Sequence, residues 1–278
     1  MNLIDCHTHT QFSVDSDADI SEMIEKACRL GLSAYAVTDH CECNRWYSEE
    51  HYPDEDTYRY YDFGRDFENS VSAVTGLKEK YDGKLNLICG VEMGQATHDF
   101  EIAEKIVSDS RVDFVIGSMH QLPKTEDFAF IDYEKLSPQD IYGLAERYFL
   151  EINKLCKWGK FDVLGHLTYI LRYLKGSAGI DLDITPFDEI IADSFKSLVE
   201  KGKGIEINTS GLRQKYGDVL PSLKYVKLFR ELGGEALSIG SDAHTVEDLG
   251  SGISEGMEIA KAAGFEYLCY FKERKPNF

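Results

Sequence analysis

The sequence predicts an α/β fold in which seven parallel strands close into a distorted (β/α)7 barrel. Two observations support this prediction. Short apolar runs alternate with longer amphipathic segments along the chain, which is the order of parallel strands joined by helical crossovers. In addition, six of the eight histidines directly follow or end these apolar runs. Because active sites of α/β barrels assemble at the carboxyl ends of the strands, a barrel brings such residues together.

The predicted strands are runs of about five to seven residues, partly β-branched or aromatic and flanked by glycine, aspartate or serine. They cover residues 2–6, 34–38, 85–91, 112–117, 161–165, 204–208 and 236–240. A doubly wound open sheet is the alternative, but its strand ends would not converge on one point. Because we find no linker, internal repeat or low-complexity tract, we expect a single domain over residues 1–278.

Amphipathic helices are predicted between the strands. The first covers residues 19–31, with Asp19 or Ser21 as its N-cap and Gly31 as its end. Similar helical patterns occupy residues 137–159 and 185–202. The tail 267–278 has the pattern of a last apolar strand with a basic end, and we expect it to be structural.

Two connections that follow strands are unusually long. Residues 41–56 are acidic and aromatic, and they are either a lid over the barrel mouth or a solvated surface loop. Residues 121–136 are either a second wall of the mouth or simple packing. The aromatic side chains that would shape a substrate pocket in the lid are Trp46, Tyr47 and Tyr52.

The composition argues against several classes of protein. With 43% hydrophobic and 28% charged residues, the chain has the composition of an ordinary globular protein. Its formal charge of −19 disfavours a domain that grips nucleic acid, because such domains are usually basic. We find neither a signal peptide nor an apolar stretch near the roughly 20 residues that span a bilayer. The seven scattered cysteines suit reduced thiols, so we expect a cytoplasmic protein without nucleic-acid or membrane partners.

Two closely spaced pairs of residues indicate a metal site. His7 and His9 follow the first strand, and the alternation of an extended chain sends both imidazoles to one face. Asp242 and His244 repeat this spacing after the last strand, which becomes the neighbour of the first when a barrel closes. Imidazoles and carboxylates suit divalent zinc, iron or manganese. Further candidate ligands follow the other strands: His40, Glu92, His120 and His166.

The ordered motifs resemble those of the PHP (polymerase and histidinol phosphatase) superfamily. They are DCHTHT, AVTDH, a glutamate after the third strand, GSMH, GH and SDAH, and they extend over essentially the whole chain. Each motif alone is common, whereas the ordered set is specific. The resemblance implies a trinuclear metal centre with nine ligands: His7, His9, Asp15, His40, Glu92, His120, His166, Asp242 and His244. Asp15 stands where many relatives carry histidine.

The resemblance also divides the ligands among three divalent ions, with Glu92 bridging two of them. A bridging carboxylate suits ions roughly 3.5–4 Å apart, a separation that favours in-line displacement at phosphorus. The first ion would be held by His7, His9, Glu92 and Asp242, the second by Glu92, His120 and His166, and the third by Asp15, His40 and His244.

The implied reaction is hydrolysis of a small phosphomonoester by direct attack of a metal-bound hydroxide, without a phosphoenzyme. Asp242 or His244 is a candidate proton donor to the leaving alkoxide. Three further residues near the strand ends are candidates for phosphate binding: Arg172, Asn208 and Arg213. Arginine forks match phosphate oxygens, but the alternative for each arginine is a surface ion pair.

Within the superfamily, the chain resembles the stand-alone histidinol phosphatases in its length, its opening residues and its complete motif set. This similarity implies hydrolysis of L-histidinol phosphate in histidine biosynthesis. The alternatives are a phosphoesterase for nucleotides or phosphotyrosine, a non-catalytic metal-binding PHP module and an amidohydrolase barrel. The motifs build a metal site and do not specify the alcohol that leaves.

Overall fold

A computed structural model describes residues 1–43 and 63–278 of the chain. The seven predicted strands are all present, and one further short strand, β3, follows β2. In the described residues, the strands of the main sheet are β1 (Ile4–Asp5), β2 (Ala34–Val37), β3 (His40–Glu42), β4 (Asn86–Gly94), β5 (Phe114–Ser118), β6 (Val163–Leu164), β7 (Gly204–Asn208) and β8 (Leu237–Gly240).

All neighbouring strands of this sheet are parallel, and they lie in chain order from β1 to β8, with β3 paired to β4. Backbone hydrogen bonds join its two edges. Cys6 N donates to Ile239 O at 2.9 Å, and Asp242 N donates to His7 O at 2.7 Å. The strands therefore form a nearly closed barrel, which confirms the predicted distorted (β/α)7 fold.

Helices connect the strands and cover their outer faces, so that β2, β5, β7 and β8 are buried along their whole length. The first helix begins as predicted, because the Asp19 side chain accepts hydrogen bonds from the backbone of Ser21 and Glu22. The described helices are α1 (Ile20–Leu30), α2 (Phe63–Tyr81), α3 (Phe100–Val107), α4 (Pro138–Trp158), α5 (Tyr169–Gly176), α6 (Asp188–Glu200), α7 (Ser210–Arg213), α8 (Leu223–Glu231) and α9 (Ile253–Ala262). In this part of the chain, no helix has the length and apolar character needed to cross a membrane.

The tail forms an antiparallel hairpin of β9 (Tyr270–Lys272) and β10 (Lys275–Asn277), where the sequence predicts a single last strand. Its two turn residues, Glu273 and Arg274, have φ angles of 51° and 62°. Arg274 Nε donates to Asp162 Oδ2 at 2.5 Å, and Glu273 N donates to Asp113 Oδ1 at 3.1 Å. Because these two aspartates directly precede β6 and β5, the hairpin lies against the amino end of the barrel.

Candidate metal centre

Glu92, near the end of β4, lies at the centre of a cluster of imidazoles inside the barrel mouth, and it is only 1% exposed. Its Oε1 atom lies 3.0 Å from His120 Nε2 and 2.7 Å from His166 Nε2. Its Oε2 atom lies 3.2 Å from His7 Nε2 and 3.0 Å from His40 Nδ1. The two carboxylate oxygens therefore face different sets of ring nitrogens, which is the arrangement expected of a bridging ligand.

The predicted ligands form overlapping groups in the described residues. His9 stacks on His40 and on His244, with ring centroids 4.2 and 4.1 Å apart, so it lies between the first and third predicted ligand sets. His40 reaches Glu92 as well as the third set. Groups whose ligand atoms lie within 4.8 Å of one another are His7, His9 and Asp242; His7, Glu92 and His166; His40, Glu92 and His120; and His9, His40 and His244.

Asp15 lies at the solvent edge of this cluster, with a side chain that is 46% exposed. Its Oδ2 atom lies 3.1 Å from His244 Nε2 and 3.6 Å from His40 Nε2. Burial alone would raise the pKa of Asp15, but the charges and hydrogen bonds of these two imidazoles hold that pKa well below its usual range. Asp15 is therefore a charged oxygen donor beside the third group.

The donor atoms of the cluster fit divalent metal ions. His7 Nε2, His9 Nε2 and His40 Nδ1 are buried and make no hydrogen bond, although carboxylate oxygens lie nearby. Buried polar atoms without a hydrogen-bond partner are rare, because they lose the hydration they have in water. Imidazole nitrogens and carboxylate oxygens are the ligands that zinc, iron and manganese take in proteins.

The histidines of this cluster have very different pKa values. Burial lowers the pKa of His9 to about 3, with help from the neighbouring charges of His244 and His40. Burial would also lower the pKa of His120, but the charges of Glu92 and Glu42 raise it to about 10. A metal ion that binds here would meet some imidazoles that are already neutral and others from which it must displace a proton.

Three buried acids that were not predicted support the outward-facing nitrogens of the histidine rings, two of them by direct contact and one through a serine hydroxyl. Glu42 Oε1 lies 2.9 Å from His120 Nδ1, and Glu206 Oε1 lies 2.6 Å from His7 Nδ1. Asp39 acts through Ser13, whose hydroxyl donates to Asp39 and lies 3.0 Å from His9 Nδ1. Such partners fix the orientation of metal-binding histidines. The available signal was a charged residue inside an apolar strand, as in the GIEIN segment that contains Glu206.

The three candidate phosphate-binding residues converge on Asp242. Arg172 Nη2 donates to Asp242 Oδ2 at 2.8 Å, and Arg213 Nη2 donates to the Asp242 backbone carbonyl at 2.7 Å. The amide of Asn208 donates to Asp242 Oδ2 at 3.2 Å and is fully buried. The two arginines, together with His244, line a cavity of about 430 Å³. Asn208 instead lies beneath Asp242, where it holds the carboxylate.

A second cavity of about 340 Å³ opens beside the cluster. Asp127, Ala129 and Phe130 form part of its lining, so the 121–136 connection is a wall of the mouth. Its other lining residues include Phe12, Val14, Asp15, His40, Glu42, Asp66, His120, Tyr169 and Tyr173. The aromatic residues proposed for the 41–56 lid lie in the segment 44–62, outside the described residues.

Comparison with known proteins agrees with this geometry. A model of the PHP domain matches residues 5–210. The chain is 30% identical to the probable histidinol-phosphatase of Thermotoga maritima over 96% of this chain and 94% of that protein. It is 24% identical to the histidinol-phosphatase of Lactococcus lactis, over 99% of this chain and 96% of the relative.

Solved structures show the same fold. The crystal structure of the Lactococcus lactis histidinol phosphate phosphatase, complexed with zinc, L-histidinol and phosphate, matches with a TM-score of 0.81 at 24% identity. That match covers 100% of this chain and 99% of the other. The putative histidinol phosphatase of Listeria monocytogenes matches with a TM-score of 0.76 at 21% identity, over 91% of this chain and 99% of the other.

Proposed function

The chain belongs to the PHP domain family, and from this we propose that it is a histidinol-phosphatase, which hydrolyses L-histidinol phosphate to L-histidinol and inorganic phosphate. The observation that carries this proposal is the Glu92 cluster, which brings together eight of the nine donors that the family motifs imply, with Asp15 at its solvent edge. Relatives with this activity in their names match the chain from end to end.

We propose that the cluster holds three divalent ions, with zinc as the first candidate because the Lactococcus lactis protein contains it. When bound, such ions stabilise negative charge on phosphoryl oxygens and activate water for in-line attack. In the described geometry, Glu92 is shared between two sets of imidazoles, and Asp15 extends the third set toward solvent. The nine proposed ligands are His7, His9, Asp15, His40, Glu92, His120, His166, Asp242 and His244.

Arg172 and Arg213 are the proposed phosphate-binding residues. Both guanidinium groups lie at the cavity beside Asp242, and Arg172 Nε is buried without a hydrogen-bond partner. A guanidinium presents paired donors that match two oxygens of a phosphate. Asn208 has no exposed surface, so it acts on phosphate only indirectly, by holding Asp242 in place.

Both candidate proton donors are also proposed metal ligands, so either could donate a proton only while it is not bound to metal. In the metal-free protein, His244 is the better candidate. Burial would raise the pKa of Asp242, but His7 and Arg172 hold it well below its usual range, so this carboxylate carries no proton near neutral pH. Burial would lower the pKa of His244, but Asp15 and Asp242 raise it, which favours the protonated form of this imidazole beside the cavity.

The 340 Å³ cavity suits the leaving alcohol of this substrate. Asp66 and Asp127 are acids of its wall that contribute negative charge toward an ammonium group. Phe130 and Tyr173 offer aromatic faces for a flat, partly charged imidazole. We also propose a cytoplasmic location for this biosynthetic step, in agreement with the seven free cysteines.

The proposal is tested by phosphate release from L-histidinol phosphate, nucleoside monophosphates and phosphotyrosine, with metal analysis on the same sample. We expect kcat/KM for L-histidinol phosphate to exceed the others by about a hundredfold or more, because a leaving-group pocket discriminates through buried polar contacts. Comparable rates across the panel would contradict the substrate while leaving the phosphatase chemistry intact. A general phosphomonoesterase is the second candidate, since a relative in Vibrio cholerae, 25% identical, is described only as a probable phosphatase.

A further inference from the structure

Strand β7 differs from its neighbours because no proposed metal ligand lies on it or in the residues that directly follow it. Its inward-facing polar residues are Glu206 and Asn208, which are 1% and 0% exposed. Unpaired carboxylates are rarely buried this deeply, because removing a charge from water is costly. Glu206 therefore needs hydrogen-bond partners, and the identity of these partners indicates what the residue does.

The two oxygens of Glu206 reach ligand-bearing segments on both sides of β7. Oε1 lies 2.6 Å from the Nδ1 atom of His7, which follows β1. Oε2 accepts a hydrogen bond from the backbone N–H of His166, which follows β6, at 2.9 Å. The same oxygen lies 3.4 Å from the amide of Asn208, which in turn donates to Asp242. One carboxylate thus connects three of the proposed ligands.

The neighbouring strands leave room for this contact. A Cβ atom added at Gly240 on β8 would lie 2.2 Å from His7 Cβ and 2.7 Å from Glu206 Oε1. Such distances are far below van der Waals contact, so a side chain at this position would displace either the imidazole or the carboxylate. Gly240 therefore permits the close approach of His7 and Glu206.

We propose that Glu206 is a positioning residue that holds the His7 ring with Nδ1–H toward its carboxylate and Nε2 toward Glu92. It is not itself a ligand, because it contacts the side of the ring that faces away from the cluster. A carboxylate in this position fixes the tautomer and makes the opposite nitrogen a better donor to metal. This inference rests on the metal centre of the proposed function and not on its substrate.

The test is the zinc affinity of Glu206→Gln, measured by competition with a chromophoric chelator. We expect an affinity weaker by about tenfold to a hundredfold, because outer partners of metal-binding histidines have effects of this size. Asp113→Asn is the matched control, since Asp113 is also a buried, paired carboxylate but lies at the opposite end of the barrel. We expect this control to reduce stability and to leave zinc affinity unchanged.

A second measurement needs no variant. In the zinc-loaded wild-type protein labelled with nitrogen-15 histidine, the His7 ring is expected to carry its proton on Nδ1, with that proton shifted downfield by the hydrogen bond. A proton on Nε2 would overturn the proposal, as would equal zinc affinities of the wild type and Glu206→Gln. An equal loss of affinity in Asp113→Asn would do the same. Failure of the wild type to bind zinc would instead overturn the metal centre itself.

Discussion

The two ends of the barrel bury carboxylates in different ways. At the amino end, Asp113 pairs with Lys78 Nζ at 2.5 Å, and Asp162 pairs with Arg274 Nε at 2.5 Å and with Lys203. At the carboxyl end, Glu92 lies among imidazoles, several of which have buried nitrogens without hydrogen bonds. A buried carboxylate requires positive partners. At the amino end, lysine and arginine side chains supply this positive charge. At the carboxyl end, we propose that bound metal ions supply most of it.

The amino end of the barrel contributes mainly to stability, and the carboxyl end contributes mainly to the proposed activity. The ion pairs of the amino end connect the final hairpin to the starts of β5 and β6 and touch no proposed ligand. The carboxyl end keeps buried donor atoms without hydrogen-bond partners, which favours binding over stability. Substitutions at the amino end should therefore lower the free energy of unfolding, whereas substitutions at the carboxyl end should lower metal affinity and kcat/KM.

The largest effect is expected for Glu92→Gln. Loss of the shared carboxylate removes a side chain that faces both sets of imidazoles, so kcat/KM should fall by about a thousandfold or more. Steady-state kinetics and metal content by mass spectrometry measure the effect. Glu101→Gln, on an exposed residue of α3, is the control and should behave as the wild type. Retained activity with full metal content would contradict the central role of Glu92.

Arg274→Ala should destabilise the amino end of the barrel and leave catalysis unchanged. Removing one partner of a buried ion pair leaves Asp162 undercompensated, and Lys203 at 3.4 Å replaces only part of the lost charge. We expect the free energy of unfolding to fall by about 3 kcal/mol, as measured by urea denaturation, with unchanged kcat/KM. Arg111, which is partly exposed and pairs with Glu68 and Asp109, provides the control, since water screens these pairs and Arg111→Ala should cost clearly less stability than Arg274→Ala. A large loss of activity in Arg274→Ala would show that the two ends are not independent.

Glu42→Gln should reduce metal binding at the carboxyl end without abolishing it. Glu42 lies 2.9 Å from His120 Nδ1, and a Cβ atom at Gly94 would lie 1.9 Å from its Oε2 atom, so this contact also depends on a glycine. We expect zinc affinity to fall by about tenfold to a hundredfold in the same chelator competition. An unchanged affinity would show that the orientation of His120 is set by packing alone.

The smallest effect, over a single pH unit, is a pH dependence of metal binding. In the metal-free protein, Glu92 and Glu42 raise the pKa of His120 to about 10 despite its burial, so zinc must displace its proton near neutral pH. Raising the pH removes the competing proton, and apparent zinc affinity should rise by about tenfold per pH unit for each proton released. Calorimetry in buffers of different ionisation enthalpy measures the number of protons. A pH-independent affinity would contradict this competition.

Much of the fold was predictable because parallel strands that are buried on both faces appear as short apolar runs. The predicted strand 204–208 matches β7 residue for residue, and the Asp19 cap of α1 is confirmed. The predicted strand 2–6 shortens to Ile4–Asp5. After Asp5 the backbone pairs with β8 instead, since Cys6 N donates to Ile239 O. The strand β3 was missed because the polar pair before it, Thr38 and Asp39, looked like the end of β2.

The site was predictable at the level of residue type and less so at the level of arrangement. The histidines could be found because a polar residue ends each apolar run. Which of them lie together depends on side-chain directions, and these place His9 beside both His40 and His244. Glu206 was overlooked because a single glutamate in a strand usually points to solvent, whereas here it points into the barrel.

The closure of the barrel makes the assembly of the cluster a late event in folding. Ser241 donates two hydrogen bonds to the Asp5 carboxylate across 236 residues of sequence. His7 and His9 are separated from Asp242 and His244 by most of the described chain, so the cluster can be complete only after these distant segments have met. Such long-range closure slows folding, because distant segments must meet before their contacts stabilise them. A metal ion that needs ligands from both segments could therefore be held in full only after the barrel has closed.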